Sequence, residues 1–114
     1  MDDCLFCKIA AGEIPFGKVY EDDDVLAFRD ISPMAPVHVL VIPKQHVASV
    51  LEAGNLPAGM CEKLMRVCGE VAKREGIADS GFRIVSNCGE DGCQSVKHWH
   101  IHVLGGKKLP DQLG

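Results

Sequence analysis

Three of the five histidines in this 114-residue chain, His98, His100 and His102, alternate with Trp99, Ile101 and Val103. On a β-strand, alternate side chains share a face, so the three imidazoles would stand in a row at about 6.5–7 Å intervals, backed by apolar residues. A lone histidine on an apolar strand is usually structural, but three in strict alternation are hard to explain by packing. The row suits a metal site completed by ligands from elsewhere. It equally suits catalysis, with one imidazole as nucleophile and its neighbours donating to phosphate oxygens. Gln94-Ser95-Val96 adds polar groups at the mouth of the segment, and Cys88-Gly89-Glu90-Asp91-Gly92 holds glycines whose amides can approach an anion. Phosphate chemistry fits the combination best.

Cys4-Leu5-Phe6-Cys7 is a second chemical signal, a Cys-x-x-Cys pair that needs two more ligands to hold a metal. A redox reading would want a thioredoxin-like βαβ context after it, and that context is absent. With an acidic Met1-Asp2-Asp3 where a secretory signal would be basic, the six cysteines are expected to be thiols in a cytoplasmic protein rather than a disulfide framework.

The elements that must position these groups follow from pattern. Cys4 to Ala11 suits a brief helix closed by Gly12. Lys18–Glu21 and Val25–Arg29 flank Asp22-Asp23-Asp24 and predict a hairpin whose turn acids are simply solvated. Val37 to Ile42 lies between prolines, apolar on both faces apart from His38, as expected of a buried central strand. Met60 to Glu75 places Met60, Leu64, Val67, Cys68, Val71 and Ala72 on one helical face, with Pro57 before it and Gly76 after. Cys61 and Cys68 on that helix are expected to be small buried hydrophobes. Phe82 to Asn87 alternates as a strand, Cys88 to Cys93 is a loop, and Gln94 to Leu104 is expected to be the last strand. The order predicts an α+β fold: an antiparallel sheet of about five strands with one long and one or two short helices.

A chain of this length fits one domain spanning residues 1–114, with a core small enough that dimerisation or a metal would help it. Apolar content of 46% with 25% charged residues predicts a folded body. The net charge of −4, without a dense basic cluster, argues against nucleic-acid binding, and the longest apolar run is too short to cross a bilayer.

His98-Trp99-His100-Ile101-His102-Val103-Leu104 resembles the signature of the histidine triad (HIT) family. Phe28-Arg29-Asp30-Ile31-Ser32-Pro33, Pro36 to Lys44, Gln94-Ser95-Val96 and Leu104-Gly105-Gly106 extend the resemblance to the branch that hydrolyses purine nucleoside phosphoramidates. That resemblance implies a HIT-like fold, a homodimer and a two-step hydrolysis of a purine nucleotide substrate. His100 would attack the α-phosphorus to give a nucleotidyl-histidine, which water then releases. His38 and His102 would orient the phosphate, Ser95 would bond the departing group, and Asn87, Cys93 and Gln94 would lie at the phosphate end. Asp30 would accept from the ribose, and Leu5, Phe6, Ile9, Ile14, Phe28 and Ile31 would wall the purine, although each could equally be plain core. Cys93 departs from the family's usual glycine, and the tail after Gly106 lacks an aromatic residue that some members use. His102 stands where nucleotidyltransferase relatives carry glutamine, which favours hydrolysis.

Members that keep the Cys-x-x-Cys pair bind structural zinc with two further histidines, here His46 and His98. Cys4, Cys7, Cys88 and Cys93 form a rival all-thiolate set, and buried thiols without metal are a third reading. Alternative functions are a dinucleoside polyphosphate hydrolase and a nucleotide- or zinc-binding interaction protein with incidental catalysis.

Overall fold

The strand Val37–Pro43 must be covered on both faces, because apolar side chains alternate to either side of it. The computed structural model, which describes residues 4–113, places it at the middle of the sheet; the Met1-Asp2-Asp3 segment lies outside the described residues. The elements are α1 (Leu5–Ala10), β1 (Lys18–Glu21), β2 (Val25–Arg29), β3 (Val37–Pro43), a 3₁₀ turn (Val50–Asn55), α2 (Met60–Arg74), β4 (Phe82–Ser86) and β5 (Ile101–Gly105). The strands run in the order β1-β2-β3-β5-β4, every neighbouring pair antiparallel. The fold is α+β, as its sequence pattern predicts.

Each face of the sheet carries its own core. On one, Val25, Ala27, Val39, Val41, Ile101 and Val103 pack beneath the Leu64, Val67 and Val71 stripe of α2. Each fully buried aliphatic side chain there contributes roughly 1.5–3 kcal/mol relative to exposure. On the other face, Leu26, Phe28, Leu40 and Ile42 pack against Phe6 and Ile9 of α1. Strand alternation puts His38 and His102 on this second face, under the shorter helix, where the cover is incomplete.

Three expectations need correction. The last strand begins at Ile101 rather than Gln94, so His98 and His100 precede the ladder. Pro43, opposite that point, has no N–H to extend the pairing, and its carbonyl is taken by the His98 ring at 2.8 Å. Alternation nonetheless persists, since Trp99 is buried with the α2 core. The hairpin acids are not merely solvated: Asp22 accepts from Tyr20 Oη at 2.7 Å and from the Asp24 and Val25 amides, and Lys63 of α2 reaches both Asp22 and Asp24. Burial opposes ionisation of Asp22, but these donors outweigh it and hold its carboxyl well below the usual range. Finally, Cys68 is buried as expected, whereas Cys61 is exposed.

Candidate active site and metal centre

β3 and β5 pair with His38 opposite Leu104 and His102 opposite Leu40, so the two imidazoles are diagonal neighbours on one face. His38 Nε2 and His102 Nδ1 are 2.9 Å apart. The Met34 amide donates to His38 Nδ1 at 3.0 Å, which requires that nitrogen to be the acceptor. A neutral His38 therefore carries its proton on Nε2 and donates it to His102 Nδ1, leaving the His102 proton on Nε2. Burial first, then the neighbouring His100 and His38, push His102 down from the ordinary 6.5 to about 4. Burial likewise lowers His38, against the pull of Asp30 at 3.5 Å. Both rings are neutral near pH 7.

His100 has the opposite tautomer. Its Nδ1 lies 2.7 Å from the carbonyl oxygen of His98, which can only accept, so Nδ1 carries the proton and Nε2 keeps a free lone pair. The His100 and His102 rings stand 5.0 Å apart. An imidazole nitrogen with a free lone pair and an imidazole N–H are thus carried on adjacent rings.

Both rings line a 410 Å³ cavity whose apolar wall includes Leu5, Phe6, Ile9, Ile14, Phe28 and Ile31, with Asp30 and Ser95 on its edge. All six wall residues anticipated from sequence are gathered here. Phe6, Ile9 and Phe28 also serve the core, while Ile31 is 98% exposed and Leu5 45%, an apolar rim with no protein cover. Pro15, Phe16, Leu40 and Val96 join the lining unanticipated; their apolar character alone gave no signal separating wall from core. Asn87, Cys93 and Gln94 are placed differently. Asn87 donates to Gly92 O at 2.7 Å, and the Gln94 amide is spent on Ala48 O, Val96 O and the Gly89 N–H. These two side chains brace the Cys88–Cys93 loop rather than face the cavity. Gly92 has no room for a Cβ against the Cys88 backbone, and Cys93 holds φ at 60°, the left-handed region that favours glycine.

The first histidine of the row turns away to the cysteines. The ligand atoms of Cys4, Cys7, His46 and His98 all lie within 4.8 Å of one another. Cys4 Sγ is 3.3 Å from His98 Nδ1, and Cys7 Sγ is 3.3 Å from His46 Nδ1 and 3.4 Å from His98 Nδ1. Tetrahedral zinc, with bonds of about 2.3 Å to sulfur and about 2.0 Å to nitrogen, would hold such atoms roughly 3.5 Å apart. His98 Nε2 donates to Pro43 O, which orients the ring and leaves Nδ1 as the ligand atom. Burial, then the adjacent Cys4 thiol, push Cys7 up to about 11, so two thiolates this close need a cation between them. The four residues fit a divalent metal. The all-thiolate set does not form: Cys88 contacts Ser49 Oγ at 3.3 Å and Cys93 is exposed. Asp30, His38 and His102 also converge within 4.8 Å, but His38 and His102 have committed their facing nitrogens to each other.

The HIT domain model matches residues 11–109. The chain belongs to the HIT family. It is 40% identical over 112 residues to the purine nucleoside phosphoramidase of Escherichia coli K12, covering 98% of this chain and 94% of that protein. It is 48% identical over 109 residues to a 14 kDa zinc-binding protein of Brassica juncea, covering 94% and 96%. A solved HIT family hydrolase from Legionella pneumophila superposes with a TM-score of 0.90 at 41% identity, covering 98% of this chain and all of that one. Within this HIT hydrolase fold, no helix of the described residues is long and apolar enough to span a membrane.

Proposed function

We propose that this HIT protein hydrolyses the phosphorus–nitrogen bond of purine nucleoside 5′-phosphoramidates through a nucleotidyl-His100 intermediate. The observation that carries this reading is the hydrogen bonding of two rings that line one cavity: His98 O takes the His100 Nδ1 proton and leaves its Nε2 a lone pair, while His38 leaves the His102 proton on Nε2. The purine would lie against Leu5, Phe6, Ile9, Ile14, Phe28 and Ile31, with the ribose hydroxyls donating to Asp30. His100 Nε2 would then bond to phosphorus as the phosphorus–nitrogen bond breaks, and the amine would take up one proton from solvent on leaving. His102, supported by His38, would donate to a phosphoryl oxygen, and Ser95 would bond the departing nitrogen. Attack by water on the phosphoryl-imidazole then breaks the phosphorus–Nε2 bond, releases the nucleoside monophosphate and one proton to solvent, and restores neutral His100.

Zinc, held by Cys4, Cys7, His46 and His98, would supply a structural crosslink between α1 and the catalytic segment. The exposed Phe82 and Ile84 on edge strand β4 support a homodimer that covers them. Six cysteines without a disulfide among them fit a reducing, cytoplasmic setting.

Turnover of an adenylated amine and of a diadenosine polyphosphate, by the wild type and by His100→Ala, tests the reading. Preference for the amine, lost in the variant, supports it; preference for the polyphosphate favours the rival hydrolase, and turnover retained without His100 rejects the nucleophile.

A further inference from the structure

The proton on His38 Nε2 has two acceptors within reach: His102 Nδ1 at 2.9 Å and Asp30 Oδ2 at 3.5 Å. The nearer ring nitrogen takes the hydrogen bond. The carboxylate stands farther off but carries a full charge, which makes it the stronger acceptor at equal distance. Little water screens that pull, since the His38 side chain is 4% exposed and the Asp30 side chain 21%. Asp30 is held in this place by its neighbours. It is the first residue past β2, its N–H donates to His38 O at 3.0 Å, and its Oδ1 accepts from the Ser32 N–H at 2.8 Å. Oδ2 is thus the oxygen turned to His38. Asp30 and His102 both line the 410 Å³ cavity, so a ligand there meets the two groups that share the His38 proton.

We propose that Asp30 couples ribose recognition to the chemical step: ribose hydroxyls that donate to Oδ2 withdraw the carboxylate from competition, so that the His38 proton commits to His102 Nδ1. The His102 proton is then held on Nε2, as the donor to the phosphoryl oxygen. The proposal rests on the phosphoramidase reading, which supplies both the ribose contact and the role of His102. Without the hydroxyls, Oδ2 keeps part of the His38 N–H. His102 Nδ1 is then less firmly an acceptor, and its proton is freer to shift from Nε2 to Nδ1, which turns a lone pair toward the phosphate. Asp30 is a positioning residue in this respect, because it reaches the phosphate only through His38 and His102. A ribose contact that served binding alone would ease saturation and leave the rate at saturation unchanged. One that acts through His38 changes that rate itself.

The test measures single-turnover rates at saturating enzyme, and the enzyme concentration for half-saturation, with adenosine 5′-phosphoramidate and 2′,3′-dideoxyadenosine 5′-phosphoramidate, in the wild type and in Asp30→Asn. Weakening one preorganised donor, short of removing it, predicts that the wild type cleaves the dideoxy substrate about tenfold more slowly at saturation. Asparagine keeps the Ser32 bond through its carbonyl oxygen and puts an NH2 group, which cannot accept, where Oδ2 stood. Asp30→Asn should therefore bring the ratio of the two saturated rates to about one, and raise half-saturation for the ribose substrate alone. Equal saturated rates in the wild type, with only half-saturation changed, would overturn the proposal and leave Asp30 as a binding residue. A gap that persists in Asp30→Asn would overturn it too, because the hydroxyls would then act elsewhere. The wild-type comparison needs no variant, so it decides the matter even where Asp30→Asn does not fold. Failure of the wild type to cleave either substrate would instead reject the phosphoramidase reading, and this proposal with it.

Discussion

The carbonyl oxygen of His98 holds His100 Nδ1 at 2.7 Å, while the ring of the same His98 faces Cys4 and Cys7 at 3.3 and 3.4 Å. One residue therefore joins the candidate metal site to the proposed nucleophile. Its backbone sets the His100 tautomer, and its side chain is fixed by the thiols and by Pro43. Phe6, between the two cysteines, packs edge-on against both the His98 and His100 rings. The candidate metal ligands, the cavity wall and the proposed nucleophile form one mechanical unit.

Removing the metal should loosen that unit from the α1 side. Cys4→Ser with Cys7→Ser is expected to abolish bound zinc by elemental analysis, lower the thermal midpoint and weaken nucleoside monophosphate binding in calorimetry. Unchanged metal content in the double variant would reject the Cys4, Cys7, His46 and His98 assignment.

His38 matters here through the proton it gives to His102. His38→Ala frees His102 Nδ1 to hold the proton, which turns a lone pair toward the phosphate in place of a donor. Loss of one such donor predicts a fall in kcat of about a hundredfold, with a much smaller change in KM. A loss in KM alone would mean that His38 only shapes the cavity.

Burial of His102 also makes stability depend on pH. His102 titrates near 4 in the folded chain against 6.5 when unfolded, so between these values the unfolded state binds more protons. Its contribution is fully present above about pH 6.5, declines as pH falls from there toward 4, and is gone below. Denaturant unfolding from pH 4 to 7 should show stability rising with pH, and His102→Gln should flatten that slope. An equal slope in the variant would place the effect elsewhere.

Cys93 holds a left-handed backbone that glycine adopts without strain. Cys93→Gly is expected to raise stability by about 1 kcal/mol in denaturant titration, and Cys93→Val to lower it. A destabilised glycine variant would mean that the thiol makes a compensating contact.

Most of the sheet was legible because its strands are short, bounded by Gly and Pro, and patterned at a period of two. The α2 stripe from Met60 to Ala72 was legible for the corresponding reason at helical spacing. The start of β5 was not, because alternation from His98 to Val103 continues whether or not a ladder is present; the missing N–H of Pro43, far away in sequence, decides where pairing begins. Asp22 was misread since nothing local announces that Lys63 of α2 lies over the hairpin turn. Among site residues, the histidines and the cysteine pair declared themselves by spacing. The bracing role of Gln94 did not, because Ala48 comes from a loop distant in sequence and Gly89 from the other end of Gln94's own loop.

The central claim is that His100 Nε2 forms a covalent bond to phosphorus. Rapid quench of the wild type and an adenylated amine into alkaline denaturant, which preserves the acid-labile phosphorus–nitrogen bond, followed by intact-mass measurement and peptide mapping, measures it most directly. The account predicts an added adenylyl group on the peptide containing His100, appearing before steady state and absent in His100→Ala. Full turnover with no adduct on that peptide at any time would contradict it.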